Sequence, residues 1–548
     1  MVANPAPATL FHGGTIWPGR DHAERTALLV ENGVITAFDA AAVQRAEQIA
    51  AEQVDLGGGF LMPGFNEGHS HPIDGGLEQR GPQIVGLESV AEIVEEVRRY
   101  AEANPQDEWI LGASYNGSLV DGGLFDARSL DDAVPDRPVV LYAWDYHTLW
   151  CNSEALRRAG ISRDAPEPEL GEIARRADGE PLGTLREVGA LDLMLKVSPG
   201  HPLEDRIQAL ARAIDMFVSF GVTWVQDSLV PLDDVEVYLE AARRGLLRVR
   251  MNLAFLADPR DFPAGLPRLI AARERVRALN HPLLTAHTIK FYADGVIENE
   301  TGSLLEPYCT GHHRGMRVWE PRHLAEAVTA VQAEGFQPYV HAIGDDAVRT
   351  ALDAMEAATL QLGALNTRPV ITHVQLAADS DLARFAQLGV IANMQPLWAQ
   401  QDSLMTVLTV PRLGHERSDR QYRMRTLTDS GARVAFGSDW PCSSADPREG
   451  IATAATRTTV DGEPVGGWIP EEILPIEVAI DLYTRGTAHQ AFADTHAHPW
   501  GTLEVGHAAD FVVLARDPRA EPPALFPHND VQATYLLGAP TYVKETER

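Results

Sequence analysis

Cysteine is scarce in this chain of 548 residues, which contains only three. Cys151, Cys309 and Cys442 lie far apart in the sequence and form no C-x-x-C pair. A disulfide framework is therefore not expected, and this usage is typical of a protein from a reducing compartment.

Long apolar runs are also missing. No window reaches the roughly 18 consecutive apolar residues that a membrane-spanning helix needs. The first residues, Met1-Val-Ala-Asn-Pro-Ala-Pro, contain no basic segment followed by an apolar run, so no signal peptide is predicted. We therefore expect a cytoplasmic protein that has no membrane partner.

Basic residues are few relative to acidic residues. The chain has 46 Lys+Arg against 77 Asp+Glu, which gives a formal net charge of −31. A surface this acidic repels the phosphate backbone of nucleic acids and favours solubility. Nucleic acid is therefore excluded from the expected partners.

Short apolar runs alternate with amphipathic helical stretches, such as 323–334 and 345–357, through most of the chain. This alternation is typical of parallel βαβ units in an α/β protein. Eight of the runs are candidate strands of a (β/α)₈ TIM barrel. They are Phe60–Asn66, Val222–Gln226, Val249–Phe255, Thr288–Tyr292, Gln337–His341, Val370–Val374, Val390–Met394 and Val434–Gly437.

Both ends of the chain have the pattern of β structure. Thr9–His12 is strand-like, and residues 27–38 are two apolar runs around an Asn-Gly turn, which predicts a hairpin. The segments 501–514 and 531–538 also read as strands, so the two ends can pack together.

These patterns predict three parts. Residues 1–62 plus 497–548 form a small β-sandwich domain built from both termini, and residues 63–496 form the barrel. The gap after the first barrel strand is too long for a simple crossover, so residues 75–204 are predicted to be a subdomain inserted in the barrel.

The segment His69-Ser-His71 follows the first of these barrel strands. On an extended chain, residues i and i+2 face the same side, so both imidazoles can reach one ion. The spacing alone is weak evidence, because His496-Ala-His498 repeats it without a preceding apolar strand and is read as a surface feature.

Other polar side chains lie in, or just after, later strands of the predicted barrel: Lys290, His341, His373 and Asp439. The active sites of TIM barrels lie at the C-terminal ends of their strands. A polar residue at the end of one strand is usually only a cap. Five strands that supply His, His, Lys, His, His and Asp instead predict a metal site.

Several segments carry a family resemblance. They are Met62-Pro-Gly-Phe-Asn-Glu-Gly-His-Ser-His71, Asp145-Tyr-His-Thr-Leu-Trp-Cys-Asn-Ser153, Lys290-Phe-Tyr-Ala-Asp-Gly295, Leu304-Leu-Glu-Pro-Tyr308, His341-Ala-Ile-Gly-Asp345, Thr372-His373, Gly437-Ser-Asp-Trp-Pro441 and Gly506-His-Ala-Ala-Asp-Phe-Val-Val-Leu514. In these segments the chain resembles the amidohydrolase superfamily, in the amidohydrolase-3 branch that includes N-substituted formamide deformylases. The resemblance extends over essentially the whole chain.

The resemblance implies a centre of one or two divalent metal ions. His69 and His71 would bind one ion, and His341 and His373 the second. Asp439 would bind the first ion, and a carboxylated Lys290 would bridge the two. An ammonium group cannot bind a metal, and its pKa of about 10.4 keeps it charged, whereas a carbamate is anionic. A one-ion site with an unmodified Lys290 stays open as an alternative.

Zinc is the expected metal, although iron, manganese and nickel suit the same ligands. The implied reaction is hydrolysis of a C–N bond in a small-molecule amide, N-formyl compound or cyclic amide. Metal-activated hydroxide would attack, and Asp439 would act as general base and then general acid. A deaminase of an amidine-like ring and a non-catalytic metal-binding or ligand-binding relative are the alternatives. A homodimer is the default assembly.

Further residues are predicted around this centre. Asp227 is a candidate acceptor for a ligand histidine, and Asp294 is a candidate to orient a ligand or bind substrate. The candidates for substrate contact are Tyr115, Asp145, His147, Trp150, Trp398 and Trp440. The aromatic residues among them favour a substrate with an apolar or aromatic substituent.

Overall fold

The computed structural model describes residues 8–545 of the chain. Within these residues, 21 strands form three sheets. The strands are β1 (Thr9–Ile16), β2 (Arg25–Glu31), β3 (Val34–Phe38), β4 (Glu52–Asp55), β5 (Phe60–Pro63), β6 (Phe65–Ser70), β7 (Ile110–Tyr115), β8 (Val139–Ala143), β9 (Thr148–Cys151), β10 (Glu172–Arg175), β11 (Pro181–Arg186), β12 (Val222–Val230), β13 (Arg250–Leu256), β14 (Leu284–Tyr292), β15 (Gln337–Ala342), β16 (Val370–His373), β17 (Ile391–Met394), β18 (Arg433–Phe436), β19 (Phe511–Leu514), β20 (Val531–Leu536) and β21 (Ala539–Val543).

Helices connect most of these strands. The α-helices of the described residues are α1 (Asp39–Ile49), α2 (Pro72–Glu78), α3 (Val90–Ala103), α4 (Ala127–Asp131), α5 (Ser153–Arg158), α6 (Glu187–Leu195), α7 (Leu203–Ser219), α8 (Val235–Arg243), α9 (Leu266–Leu279), α10 (Pro321–Ala333), α11 (Asp345–Leu362), α12 (Asp379–Leu388), α13 (Val410–Leu413), α14 (His415–Ser418), α15 (Met424–Asp429), α16 (Pro447–Thr456), α17 (Ile476–Asp481) and α18 (Thr487–Gln490).

Eight parallel strands form the barrel, in the order β6, β12, β13, β14, β15, β16, β17 and β18. Ser70, at the end of the first barrel strand, pairs in parallel with Trp440, which lies just beyond the last, so the ring is nearly closed. Outward apolar side chains such as Val225, Leu253 and Ile289 belong to the largest core cluster, which the surrounding helices share. The predicted TIM barrel is confirmed.

The interior of the barrel is unusually polar. Asn252 on β13 donates to Gln226 Oε1 and to Thr288 Oγ1, each at 2.8 Å. Thr288 Oγ1 in turn donates to Gln337 Oε1 at 2.8 Å. A buried polar network is stable only when its members are satisfied, so these bonds link β12 to β15 in one fixed register.

The two ends of the chain share one sheet, in the order β21-β20-β19-β5-β1-β2-β3, with β4 also paired to β1. The ring of Phe11 on β1 lies 5.0 Å from that of Tyr535 on β20. These strands are three places apart and would be about 14 Å apart in a flat sheet. The sheet therefore curls around its own apolar core, and the predicted extra β domain made from both termini is confirmed.

The chain between β6 and β12 forms the insert, whose five-stranded sheet has the order β10-β11-β9-β8-β7. Its buried core includes Tyr115, Phe125 and Trp150. Helix α7 then leads back to the barrel and buries Ile214 and Phe217 in the main core. A subdomain after the first barrel strand is thus present, while the exact domain bounds stay predictions.

The prediction for the first barrel strand, Phe60–Asn66, was wrong in its bounds. Phe60–Pro63 is β5, which pairs with β19 in the terminal sheet, and only β6 belongs to the barrel. The switch occurs at Gly64, where a Cβ would lie 2.4 Å from the Thr223 side chain. The close approach of β12 requires glycine here, and the strand breaks at that residue.

Two further segments differ from the prediction. Within residues 501–514, only Phe511–Leu514 forms a strand. The first strand extends beyond the predicted end at His12 to Ile16, with an irregular register. Among the described residues, no helix is both long and apolar enough to cross a membrane.

Candidate metal centre

Three predicted ligands meet at the mouth of the barrel. His69 lies near the end of β6 with His71 just beyond it, and Asp439 follows β18. Asp439 Oδ1 lies 3.2 Å from His69 Nε2 and 3.1 Å from His71 Nε2. One donor atom from each of the three side chains lies within 4.8 Å of the other two. This is the geometry of a site that can hold a metal ion.

The backbone fixes Asp439 in this place. Its φ of 58° lies in the left-handed region, which costs a non-glycine residue roughly 1–2 kcal/mol. The amide N–H of Asp439 donates to the His69 carbonyl at 2.7 Å, and the His71 amide donates to the Trp440 carbonyl at 2.8 Å. These two bonds join the ends of the first and last barrel strands and hold the strained residue against its histidines.

The electrostatics of the three residues suit a cation. Burial lowers the pKa of His69 to about 3, so its imidazole is neutral and carries a lone pair. Burial alone would raise the pKa of Asp439, but the positive charge that the adjacent imidazoles gain when they are protonated outweighs it and holds that pKa well below its usual value. Asp439 Oδ1 is buried and has no hydrogen-bond donor among the described residues. A buried carboxylate oxygen that faces two imidazole nitrogens without a hydrogen bond fits a divalent ion.

Two hydroxyl groups contact the His69 ring at Nδ1, the nitrogen that does not face Asp439. Its Nδ1 atom lies 2.8 Å from the Thr372 hydroxyl and 2.8 Å from the Tyr339 hydroxyl. These contacts fix the ring orientation and leave Nε2 as the ligand atom, as outer hydrogen bonds do for many metal-binding histidines.

Lys290 lies on β14 with 1% of its surface exposed. Its Nζ atom is 3.5 Å from His69 Nε2 and lies over the ring of Tyr292, 4.9 Å from the centroid. Burial lowers the pKa of Lys290 to about 8, so the neutral amine is more accessible than on an exposed lysine. The structure therefore brings Lys290 to the first histidine of the site.

His341 on β15 and His373 on β16 complete the row of histidines. Their ring centroids are 4.5 Å apart, and His373 is 4.9 Å from His69. His341 Nε2 lies 3.1 Å from the Gly295 carbonyl oxygen, and His373 Nδ1 lies 2.8 Å from Gln395 Oε1. Burial holds the pKa of both rings well below the usual value, so both are neutral.

The insert reaches this row through His147, in the turn between β8 and β9. Its ring lies 5.5 Å from that of His341, and its Nδ1 is 2.8 Å from Glu187 Oε2. Although burial opposes the charge, Glu187 raises the pKa of His147 to about 9. Asp145 supports the turn, because it accepts from the His147 amide at 2.8 Å and from the Thr148 hydroxyl at 3.1 Å.

The predicted aromatic contacts divide into two groups. Trp398 is half-buried and stacks on His373, with ring centroids 5.4 Å apart and an interplanar angle of 4°. Trp440 is also half-buried and packs edge-on against Phe217. Trp150 instead is fully buried in the core of the insert, with its Nε1 donating to the Asp126 carbonyl at 3.0 Å.

Tyr115 shares the core of the insert with Trp150. It is fully buried, with its ring 5.8 Å from that of Trp150. Unlike Trp150, Tyr115 also lines a small cavity beside Asp145 and Glu298. Trp150 was predicted to face the substrate. Its whole side chain is packed within the insert, so it cannot contact a substrate at the metal centre.

Of the two predicted supporting carboxylates, Asp227 has other partners than expected, whereas Asp294 lies beside His341. Asp227 accepts from the Tyr238 hydroxyl and from the Leu229 amide, rather than from a ligand histidine. Asp294 accepts from three backbone amides, those of Ser303, Ile343 and Gly344, at 2.8–3.0 Å. It also lies 3.6 Å from His341 Nε2. Asp294 thus fixes the loops around a predicted ligand.

Several residues at the centre were not predicted from the sequence. Tyr339 lies two positions before His341 on β15, so period-two alternation was a signal that could have found it. Thr372 directly precedes His373. Gln395 follows β17 at the barrel mouth, and its position after a strand was the same signal that identified the histidines. Glu187 lies in the insert and has no motif around it.

The chain is similar to known proteins over nearly its whole length. The family described as "Amidohydrolase family" matches residues 52–542. The "Putative amidohydrolase YtcJ" of Bacillus subtilis (strain 168) is 29% identical over 548 residues, covering 98% of this chain and 99% of the relative. The "N-substituted formamide deformylase" of Arthrobacter pascens is 27% identical over 505 residues, covering 90% of each chain.

A solved structure also aligns over nearly the whole length. It is that of an uncharacterized metal-dependent hydrolase from Pyrococcus furiosus. The TM-score is 0.71 at 26% identity, and the alignment covers 93% of this chain and 100% of the other.

Proposed function

We propose that this chain, which belongs to the amidohydrolase family and is a metal-dependent hydrolase, cleaves the C–N bond of an amide, an N-formyl amine or a cyclic amide. The resemblance identified from the sequence motifs is confirmed by the family match. The observation that carries the proposal is the buried Oδ1 of Asp439, which has no hydrogen-bond donor and lies within 3.2 Å of two imidazole nitrogens.

The ligands of the centre are proposed as follows. His69, His71 and Asp439 would hold one divalent ion, with zinc expected first because its ligands are commonly imidazole and carboxylate groups. His341 and His373 would hold a second. Neutral Lys290 would add CO₂ at Nζ and release one proton, which gives a carbamate whose single negative charge is shared by two oxygens that would bind both ions. The pKa of about 8 that burial gives Lys290 supports this step.

The catalytic roles then follow from the positions of the side chains. A divalent ion in the centre supplies Lewis-acid activation of water and of the substrate carbonyl. Asp439 takes one proton from the attacking water at its carboxylate and returns it to the leaving nitrogen. The amide and one water thereby become a carboxylic acid and an amine, and Asp439 ends the cycle ionised. Its low pKa suits the start of that cycle.

The substrate is proposed to be a small secondary amide with an apolar or aromatic substituent. Support for the substituent comes from Trp398, which is half-buried and stacks on His373. A relative that is an N-substituted formamide deformylase supports the N-formyl group. A cytoplasmic homodimer without nucleic-acid partners stays a prediction from the sequence.

A substrate panel tests the proposal. Metal-free protein is assayed with and without added zinc on N-benzylformamide, N-acetylbenzylamine and hydantoin, with release of amine or opening of the ring as the readout. Zinc-dependent cleavage of at least one compound is expected. Adenine and cytosine are assayed alongside, and ammonia released from one of them without cleavage of any panel compound would favour the deaminase alternative instead. Zinc binding without turnover of any compound would favour the non-catalytic alternative.

A further inference from the structure

Glu187 is a buried carboxylate at the junction between the insert and the barrel. It begins α6 directly after β11, and 3% of its surface is exposed. Its φ of 64° lies in the left-handed region that disfavours residues other than glycine, and its amide donates to the His147 carbonyl at 2.8 Å. Strained backbone at a buried polar residue persists only where surrounding contacts hold it.

The first of these contacts runs to His147. Glu187 Oε2 lies 2.8 Å from His147 Nδ1. Because an ionised carboxylate only accepts, Nδ1 carries the hydrogen, and the orientation of the ring is fixed. The same ring lies beside His341, with centroids 5.5 Å apart.

The second contact runs to the loop that follows β14. Thr301 Oγ1 donates to Glu187 Oε1, and the same hydroxyl accepts from the Val296 amide at 2.9 Å. The Thr301 amide donates back to the Val296 carbonyl at 3.0 Å. Glu187 therefore closes a compact loop over residues 295–301.

That loop supplies the acceptor for His341. The Gly295 carbonyl oxygen lies 3.1 Å from His341 Nε2. At Gly295, a Cβ would lie 2.4 Å from Glu187 Oε1 and 2.3 Å from Thr301 Oγ1, so the carboxylate packs directly on this backbone. The two arms of Glu187 thus end on the two sides of one predicted metal ligand.

We propose that Glu187 is a positioning residue of the metal centre, which orients His341 from the insert through His147 and through the 295–301 loop. The inference rests on the proposed role of His341 as a ligand. Outer partners of metal-binding histidines typically contribute 10- to 100-fold to metal affinity or activity. The insert is then a part of the centre.

Zinc affinity of the metal-free full chain tests this inference without any substrate. A competing chelator dye follows the titration, and His341→Asn identifies the step that depends on His341. Glu187→Leu has similar volume but no polar atoms, and it should weaken that step by about 10- to 100-fold. Gly295→Ala should weaken it too, because the methyl group displaces the loop. Glu187→Gln retains an acceptor for His147 and should stay within about 3-fold of the wild type.

A matched control is His22→Leu. His22 and Glu504 also form a histidine–glutamate pair, at 3.6 Å, but both side chains are partly exposed and neither belongs to the 295–301 loop. Its loss should leave the zinc titration unchanged. Hydrogen–deuterium exchange of the metal-free protein gives a second readout, in which Glu187→Leu should speed exchange of the amides at Val296 and Thr301.

The outcomes separate the two proposals. A folded Glu187→Leu protein with an unchanged zinc titration and unchanged exchange would overturn the positioning role. A wild type without any His341-dependent step would overturn both the ligand assignment and this inference. Weakened zinc binding in Glu187→Leu supports the inference even if no amide in the panel is cleaved.

Discussion

Asp439 contacts His69 twice, once through its main chain and once through its side chain. The Asp439 amide donates to the His69 carbonyl at 2.7 Å, and its Oδ1 atom lies 3.2 Å from Nε2 of the same histidine. The two residues lie at the ends of the last and the first barrel strands. Closure of the barrel and assembly of the ligand cluster are therefore one structural event, and a change that opens the ring should also disperse the ligands.

Asp439→Asn tests the role of the carboxylate in proton transfer. The amide keeps the size of the side chain but cannot accept and return the proton, so kcat/KM should fall by about 10²- to 10⁴-fold. The rate is measured on the best substrate of the panel, with zinc content determined for each preparation. Asp353→Asn is the control, because Asp353 is exposed on α11 and pairs with Arg384 on α12. Hydrolysis unaffected by Asp439→Asn would remove the proposed mechanism.

Lys290→Ala tests the carbamate. Zinc content and rate should both fall by about 10-fold or more, because the proposed carbamate, which would hold the ions, is lost. Added propionate should restore part of both, since a free carboxylate can enter the vacated space. Carbon-13 NMR of wild type prepared with labelled bicarbonate should show a carbamate signal that is missing in the variant. Full zinc content in Lys290→Ala would instead favour the one-ion alternative. Lys196→Ala is the control, because Lys196 is an exposed lysine of the insert.

Tyr339→Phe and Thr372→Val test the hold on His69. Each hydroxyl lies 2.8 Å from the same Nδ1 atom, so either one alone can still orient the ring. Each single variant should lower zinc affinity by only a few-fold, and the double variant by about 10- to 100-fold. Competition titration of the metal-free wild type, both single variants and the double variant gives the zinc affinities of this double-mutant cycle. Strictly additive effects would show that the two hydroxyls do not share one function.

His287→Leu tests a source of acid sensitivity outside the metal centre. Burial lowers the pKa of His287 to about 3, while its ordinary value is 6.5. The contribution of neutral His287 to stability is complete above pH 6.5. It is lost as the pH falls from 6.5 toward 3, by at most ~1.4 kcal/mol per pH unit. The thermal midpoint of the metal-free His287→Leu protein should therefore fall less between pH 7.5 and pH 5 than that of the wild type.

A surface histidine provides the comparison for that measurement. His323 on α10 is exposed, so His323→Leu should leave the pH profile of the thermal midpoint as it is in the wild type. Equal profiles for wild type and His287→Leu would mean that His287 reaches water before the protein unfolds.

Much of the barrel could be predicted because its strands are short apolar runs that end in polar residues. His341 and His373 lie at the ends of β15 and β16, and Asp439 follows β18, where parallel strands place their C-terminal ends on one rim. The rule depends only on local pattern and on the shared direction of the strands. It therefore identified these side chains as candidate ligands without any knowledge of loop structure.

Features that depend on distant partners could not be read in the same way. The apolar run 60–66 looks like one strand, and only the approach of Thr223 to Gly64 divides it between two sheets. Trp150 lies in a motif beside His147, yet alternation along β9 turns its side chain into the core of the insert. Glu187 reaches the centre through tertiary contacts alone, so no spacing in the sequence marks it.

The curled terminal sheet has a consequence for how the protein is made. Strand β5 pairs with β19, although about 450 residues separate Phe60 from Phe511. At typical synthesis rates of about 5–20 residues per second, roughly 20–90 s pass on the ribosome before the partner strand exists. During that interval β5 presents an open apolar edge while the barrel grows beside it. The nascent chain should thus depend on chaperones late in translation. The strands from β19 onward take no part in the metal centre, but the terminal sheet cannot be completed without them.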